Sequence, residues 1–286
     1  MPNLKEIKRR IDSVKSTKKI TSAMKLVAGA KLRRATEAAT RARPYQDKLS
    51  SVLHRVGSLA EGSEEPLLQS RDEIKKILVV VLTTDRGLCG GFNNNLLRKS
   101  LYWLKDRDAE NVEIEIRTFG RKGRDFYKSS ARAVADAQVD LARTPREELA
   151  RPLSHLMVSG FTGGEYDECY IVYNEFVNAI TQVPTFKRVL PIAMDAGEEA
   201  AGGDFDFEPG PDAVLSALLP LYLRTVLLQA FLETDAGEHA ARMTAMDNAT
   251  SNASDLIADL TLVYNRARQA AITTEITEIV SGAEAL

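Results

Sequence analysis

The stretch MDNATSNASDLIADLTLVYNRARQA, residues 246–270, carries the clearest repeat in the chain. Its apolar and small residues alternate steps of three and four, which is the spacing of a coiled-coil seam. Small side chains at several seam positions permit a partner helix to approach closely. This stretch therefore predicts one helix of a coiled coil. The predicted seam consists of Met246, Ala249, Ala253, Leu256, Leu260, Val263, Ala267 and Ala270.

Long helical patterns occupy both ends of the chain. The C-terminal pattern covers residues 211–286 and contains one proline after its start, Pro220. The N-terminal pattern covers residues 1–57, which would span roughly 80 Å as a single helix. Its apolar residues predict a stripe of Ile7, Ile11 and Val14 that continues through Ile20, Met24 and Val27.

A helix of this length needs another long element to pack against. Two such helices at opposite ends of one chain most simply pair with each other in antiparallel orientation. Two alternatives remain open from the pattern alone, namely ordinary bundle helices and pairing between two chains of a dimer.

The middle of the chain has the pattern of a small α/β domain, from about residue 75 to 195. A continuous apolar run at 77–84 is typical of a buried strand. Further strands are predicted at 112–119, 169–176 and 185–192, and helices at 96–105, 121–130 and 146–158. Residues 58–75 have the composition of a linker. Residues 196–211 form an acidic, glycine-containing connector.

Composition narrows the class of protein. With 44% hydrophobic and 27% charged residues, the 286-residue chain is of ordinary globular type. The sequence shows no uninterrupted apolar run of the length that a membrane span needs, about 20 residues. Its two cysteines are expected to be free thiols, and its three histidines lack metal-ligand spacing, so no metal site is predicted.

The net charge of −2 conceals a strong asymmetry. Residues 1–57 contain 15 Lys or Arg and 4 Asp or Glu, a balance of +11, which leaves −13 for the rest. Such segregation indicates a basic element that meets an anionic partner. A nucleic-acid partner is one alternative, although Tyr45 is the only aromatic residue in the basic stretch and stacking groups are therefore scarce.

Residues 85–93, DRGLCGGFN, form a glycine-rich loop between a predicted strand and a predicted helix. That position favours anion binding, but the glycine spacing matches neither the dinucleotide fingerprint nor the P-loop. A tight structural turn with a buried Cys89 explains the loop more simply. No nucleophile, base and orienting group can be assembled, so the chain is not an obvious enzyme. A nucleotide-using enzyme built on residues 77–120 stays as the enzymatic alternative.

Three stretches resemble the gamma-subunit family of F-type ATP synthases. They are KRRIDSV with ITSAMKLVA (8–14 and 20–28), DRGLCGGFN (85–93), and ARMTAM, QAAIT and EIVSGA (241–246, 269–273 and 278–283). The resemblance spans nearly the whole chain in the expected order.

The resemblance implies a long antiparallel coiled coil of residues 1–57 and 211–286, plus a central Rossmann-like α/β domain at 75–195. It implies a central-stalk rotor that couples ion-driven rotation of the c-ring to ATP synthesis or hydrolysis at the sites of the α and β subunits. The chain itself is then expected to have no catalytic residue and no cofactor.

The resemblance also assigns contact residues. Met24 and Lys25 on the first helix and Arg242 on the second are expected to face the β subunits, and Arg268, Gln269, Thr273 and Glu275 to contact the α/β ring further along. Phe205, Phe207 and Glu208 are expected near the c-ring and the epsilon subunit.

The expected partners are the α and β subunits in a 3:3 ring, the epsilon subunit and the c-ring, with no nucleic acid. The acidic N-terminal residues Glu6 and Asp12 argue against a transit peptide, and the connector 196–211 lacks cysteine. A bacterial protein is therefore expected, peripheral on the cytoplasmic face of the inner membrane and attached only through the Fo sector.

Overall fold

The computed structural model describes residues 4–59, 64–193, 208 and 210–284. The chain divides into two compact units, one of Met1–Gly29 with Arg242–Leu286 and one of Ala30–Ala241. Two long helices, α1 (Leu4–Leu59) and α5 (Pro211–Glu284), contribute to both units.

The second unit is built on one mixed sheet with the strand order β3-β2-β1-β4-β5. Strands β1, β2, β3 and β4 are parallel, whereas β5 pairs with β4 in antiparallel orientation. The described strands are β1 (Lys76–Leu82), β2 (Glu113–Phe119), β3 (Asp136–Gln138), β4 (Glu168–Phe176) and β5 (Gln182–Leu190). The helices between them are α2 (Phe92–Ala109), α3 (Arg121–Ser129) and α4 (Arg146–Thr162).

Helices cover both faces of this sheet. Side chains alternate across a strand, so Ile77, Val79 and Val81 pack against α2 and α3 on one face. Leu78 and Val80 on the other face join a core formed with α4 and the ends of α1 and α5 that lie in this unit. Burial on both faces explains why the β1 sequence is continuously apolar. The predicted combination of terminal helices and a central α/β domain is confirmed.

The predicted elements appear with shifted ends, and three short ones were missed. These are strand β3 and two 3-10 turns, at Pro66–Leu68 and Leu141–Arg143. Leu67, inside the predicted linker, is buried, and its carbonyl oxygen accepts a hydrogen bond from Ile192 N at 2.9 Å. Elements of three residues are too short to produce a periodic signal.

Helix α5 has a window of mean hydropathy 1.6 that is long and apolar enough to cross a membrane, by length and composition only. Half of that window is buried within the protein. The apolar side chains Leu215, Leu219, Leu223 and Leu227 follow the helical repeat into the core of the second unit. A core helix has this composition because its neighbours, in place of lipid, cover its apolar residues.

Asp167 fastens the segment before β1 to the start of β4. Its carboxylate accepts hydrogen bonds from Lys75 N (2.7 Å) and Lys76 N (2.8 Å), and from Arg71 Nη1 at 2.6 Å. Burial alone would raise the pKa of Asp167, but the two backbone N–H groups and the Arg71 guanidinium outweigh it and lower that pKa.

We expect Asp167→Asn to lower the free energy of unfolding by about 2 kcal/mol at pH 7. Because the folded pKa lies below the unfolded value of about 3.9, the stabilisation is present above that pH and disappears as the pH falls through the folded pKa. Denaturant unfolding from pH 7 to pH 3 should show the gap to wild type closing at the acidic end. Asp72→Asn, at an exposed neighbour, is the control, and a gap independent of pH would contradict the assignment.

In the first unit, α1 and α5 form an antiparallel pair. The Thr250 hydroxyl donates to Thr21 Oγ1 at 2.7 Å, and Lys25 Nζ donates to Asp247 Oδ1 at 2.6 Å. Residue numbers rise along α1 while they fall along α5, which defines the antiparallel direction. The predicted pairing of the two terminal helices within one chain is therefore observed.

The seam on α5 keeps the predicted period but only five of the eight predicted positions. Leu256 and Val263 are 41% and 45% exposed, and their neighbours Ile257 and Tyr264 are half-buried in their place. In both repeats two neighbouring residues are apolar, Leu256 with Ile257 and Val263 with Tyr264. The sequence pattern therefore did not determine which of the two faces α1. Ala270 is exposed as well. The predicted positions that are buried or half-buried are Met246, Ala249, Ala253, Leu260 and Ala267.

On α1, the predicted stripe is wrong beyond Val14. Ile20 and Val27 are 60% and 57% exposed, and Met24 is half-buried. The heptad begun at Ile7 continues instead through polar positions, where Thr21 and Lys25 have partners on α5. The seam residues that follow Val14 are Lys18, Thr21, Lys25 and Ala28.

Candidate functional site

The coiled coil of the first unit carries most of the predicted contact residues. Met24, Lys25 and Arg242 are half-buried. A Cβ added at Gly29 would lie 3.5 Å from Met243 Sδ. Its neighbour Arg242 precedes Asp247 by five residues on α5, roughly 7.5 Å along the helix. The structure thus brings the three predicted residues into one region of the coiled coil.

The predicted contact residues nearer the C-terminus lie on the surface of α5. Arg268, Gln269, Thr273 and Glu275 are all exposed, and the Thr273 hydroxyl donates to the Gln269 carbonyl at 2.9 Å. Residues 272–281 are all exposed. This end of α5 presents a complete helical surface.

Glu208 is exposed in a bend. Phe205 and Phe207, predicted beside it, lie outside the described residues.

Apolar side chains line the outside of the coiled coil. On α1, Ile20 and Val27 of the predicted stripe are exposed and do not belong to the seam with α5, whereas Met24 is half-buried. On α5, Ile272, Ile276 and Ile279 form a second exposed stripe with helical spacing. Exposed apolar stripes of this kind mark surfaces that meet another protein.

Sequence reasoning missed the polar residues that join the two helices. Asp247, the partner of Lys25, and the hydroxyl pair of Thr21 and Thr250 occupy or flank the seam. In a helical hydrophobicity pattern, charged and hydroxyl residues of this kind are assigned to the exposed face. The available signal was that charged and hydroxyl residues occupy heptad positions on both helices. To use it, one must already know how the two helices are aligned along each other.

The loop 85–93 in the second unit is held by its own side chains. Asn93 accepts a hydrogen bond from Thr84 N at 3.0 Å and donates to Thr84 Oγ1 at 2.8 Å and to Cys89 Sγ at 3.3 Å. Leu88 and Gly90 adopt positive φ angles of 61° and 57°. Cys89 is buried and forms no disulfide, as predicted. The loop is therefore a tight structural turn.

Helix α5 crosses the carboxyl edge of the sheet, where doubly wound folds bind nucleotides in the crevice between strands. The Phe231 ring lies 5.0 Å from the Phe119 ring at the end of β2. Glu233 Oε2 accepts a hydrogen bond from Phe176 N at the end of β4, at 3.4 Å. A Cβ at Gly237 would lie 2.7 Å from Phe92 Cε2, at the start of α2. Helix α5 thus packs over the carboxyl ends of β2 and β4 and the start of α2.

No group of three or more His, Cys, Asp or Glu residues within the described part of the chain is arranged to hold a metal ion.

Comparison with known proteins connects these features. A family model described as ATP synthase matches residues 3–286. The ATP synthase gamma chain of Pelotomaculum thermopropionicum is 47% identical over 287 residues, with 100% of both chains covered. That of Paracoccus denitrificans is 45% identical over 290 residues, again with 100% of both chains covered.

Solved structures have the same fold. A chain of the Tetrahymena thermophila mitochondrial ATP synthase central stalk and c-ring is 25% identical, with a TM-score of 0.60, over 80% of this chain and 99% of that one. A chain of the Euglena gracilis mitochondrial ATP synthase, from an assembly of OSCP, F1 and c-ring, has a TM-score of 0.67 at 21% identity, over 99% and 94%. With relatives matched over their full length, this chain belongs to the ATP synthase gamma-chain family.

Proposed function

We propose that this chain is the central-stalk rotor of an F1Fo ATP synthase, which couples ion-driven rotation of the c-ring to ATP synthesis or hydrolysis at the α/β sites. The observation that carries the proposal is the coiled coil of the first unit. Its seam binds α1 to α5, while apolar stripes on both helices face outward. Full-length identity to gamma chains agrees with this role.

Rotation acts through asymmetry. A pair of unlike helices cannot present the same surface to three identical β subunits at once. Each orientation of the rotor therefore stabilises a different conformation in each β subunit, by the difference in contact free energy. Turning the rotor passes these conformations around the ring, and the nucleotide sites change affinity in sequence.

The surface chemistry suits sliding contacts. Exposed apolar side chains such as Ile20 and Ile276 lack directional bonds, so rotation breaks no specific hydrogen bond there. The positive balance of residues 1–57 complements acidic partner loops through long-range attraction, which orients the surfaces without locking them.

We further propose that the chain has no active site of its own. Helix α5 covers the sheet edge at which an enzyme of this fold class would bind its nucleotide. Catalysis then belongs to the α and β subunits, and the chain needs no cofactor.

We assign the remaining partners in the same proposal. Residues 1–57 and 211–286 supply the coiled coil inside a 3:3 ring of α and β subunits. The α/β domain at 75–195 and the residues around Glu208 meet the epsilon subunit and the c-ring. The chain then works at the cytoplasmic face of the bacterial inner membrane and reaches it only through the Fo sector.

The proposal is tested by purifying the tagged chain from gently solubilised membranes of its source cells. Recovery of α, β and epsilon subunits with Mg-dependent ATPase activity is expected. The untagged strain is the control. Recovery of the chain alone, or with nucleic acid, would contradict the rotor proposal.

We place Met24, Lys25 and Arg242 opposite the β subunits, and Arg268, Gln269, Thr273 and Glu275 against the α/β ring further along. Reversing both charges in R242E/R268E is expected to lower coupled ATP synthesis several-fold, because each glutamate would face acidic partner loops and like charges at an interface cost several kcal/mol. Assembly is expected to stay nearly unchanged, because only two contacts are altered. Synthesis in inverted membrane vesicles, normalised to the amount of assembled enzyme, measures the effect.

The matched control is R98E/R151E, which reverses two exposed arginines of the α/β domain that are not among the assigned contact residues. It should leave the rate of synthesis near that of wild type. Normal synthesis in R242E/R268E would refute the contact assignment.

A further inference from the structure

Three chain turns meet at the carboxyl edge of β1, β2 and β3, and the Asp85 carboxylate holds them together. Asp85 Oδ1 accepts hydrogen bonds from Arg121 N and Asp140 N, both at 3.0 Å. Asp85 Oδ2 accepts one from Leu141 N at 2.7 Å. The loop after β1 is thereby fixed to the turn after β2 and to the turn after β3.

Each of these turns carries an arginine, and together they line a cavity of about 450 Å³. The lining residues are Asp85, Arg86, Arg121, Asp140, Ala142 and Arg143. This volume lies within the range of small-molecule sites, roughly 300–1,000 Å³. The cavity is bordered by the turns that follow β1, β2 and β3, and its lining includes no residue of α5.

Some charged side chains of the cavity have hydrogen-bond partners in the protein and others do not. Both oxygens of Asp85 are occupied by the three backbone N–H groups, and Arg121 Nη2 donates to Asp140 Oδ1 at 2.6 Å. Within residues 4–59, 64–193 and 210–284, the guanidinium groups of Arg86 and Arg143 make no hydrogen bond or ion pair. Two exposed guanidinium groups therefore face a concave site with their donors available.

We propose that this cavity binds a phosphate group, held between Arg86 and Arg143. Guanidinium groups match phosphate oxygens in geometry and charge, since the planar fork donates two parallel hydrogen bonds. The cavity lies at the carboxyl edge of the parallel strands β1, β2 and β3, where three chain turns bring these arginines together. The phosphate belongs to a soluble small molecule or to a lipid headgroup, and the two sources are separable by experiment.

Titration calorimetry of the full-length chain with pyrophosphate tests the soluble source. Saturable binding of one pyrophosphate per chain is expected, and R86Q/R143Q should weaken it by roughly tenfold or more, because charged hydrogen bonds are lost. Flotation with phosphatidylcholine vesicles, with and without phosphatidylglycerol, tests the lipid source in parallel. Binding only to the vesicles with phosphatidylglycerol, abolished in R86Q/R143Q, would support the site with a lipid phosphate as its ligand.

The control R98Q/R151Q removes two exposed arginines from α2 and α4 of the same unit and should bind like wild type. Thermal unfolding of both double variants verifies that they fold, which is expected because all four side chains are exposed. Absence of binding in both arms would overturn the proposal. Equal losses in the two double variants would also overturn it, since they would indicate general charge attraction.

Discussion

Gly120→Ala is expected to lower the free energy of unfolding of the second unit by about 3–5 kcal/mol, from backbone strain and overpacking together. Gly120 has a φ angle of 99°, which an alanine adopts only with strain. An added Cβ would lie 2.3 Å from the Thr83 carbonyl oxygen, which belongs to the backbone and cannot turn aside. The glycine allows β1 and β2 to stay paired at the point where the chain leaves β2 for α3.

A backbone shift that moves the added Cβ away from the Thr83 carbonyl oxygen would disturb several hydrogen bonds at once. Thr83 N donates to Phe119 O and Gly120 N donates to Gln138 O, each at 2.8 Å, and Gly123 N donates to Thr83 Oγ1 at 2.9 Å. Denaturant unfolding followed by circular dichroism measures the loss. Gly210→Ala is the matched control, because no atom lies within 4 Å of its added Cβ, and it should change stability by less than about 0.5 kcal/mol. Equal stability of the two variants would contradict the prediction.

Arg146→Met is expected to cost about 2–4 kcal/mol, because it leaves the Asp235 carboxylate without its partner between α4 and α5. Arg146 Nε and Nη2 bind the two oxygens of Asp235 at 2.7 and 2.8 Å, and the two side chains are only 19% and 24% exposed. Arg146 Nη1 also donates to the Leu141 carbonyl at 2.8 Å. Arg146→Lys should recover little, since a lysine cannot make the two parallel bonds.

The same two helices supply the control. Arg224 and Glu147 form a longer pair at 3.4 Å with 38% and 46% exposure, so Arg224→Met should cost less than about 1 kcal/mol. The measurement is the midpoint of denaturant unfolding for both variants. A loss of similar size at both positions would show that burial and geometry do not distinguish the pairs.

The strands were predictable because each has a local cause. The β1 run is apolar throughout since both of its faces are covered, and β4 is buried over most of its length for the same reason. Strand β3 was not predictable, because its three residues form a strand only through pairing with β2. Asp85 likewise gave no signal in the sequence, since its three hydrogen-bond donors come from turns 36 to 56 residues further along.

The heptad period of the coiled coil was predictable from the sequence, but the face of each helix that packs against the other was not. A stripe on one helix reports that a face is apolar, and α1 has two such faces, one towards α5 and one outward through Ile20 and Val27. Choosing between them requires knowing that Thr21 and Lys25 have partners on α5. Those contacts depend on the register of two segments more than 220 residues apart, which no local pattern contains.

The polar contacts within the seam make the helix pair resistant to slippage. If α5 moved by one heptad along α1, Lys25 would leave Asp247 and meet Ser254, and Thr21 would meet Ile257 in place of Thr250. Apolar contacts alone would nearly survive such a step, because the seam repeats every seven residues. The hydroxyl and ammonium groups would not, at a loss of about 1 kcal/mol for each hydrogen bond. Under an axial load, the two helices are therefore expected to keep a single alignment.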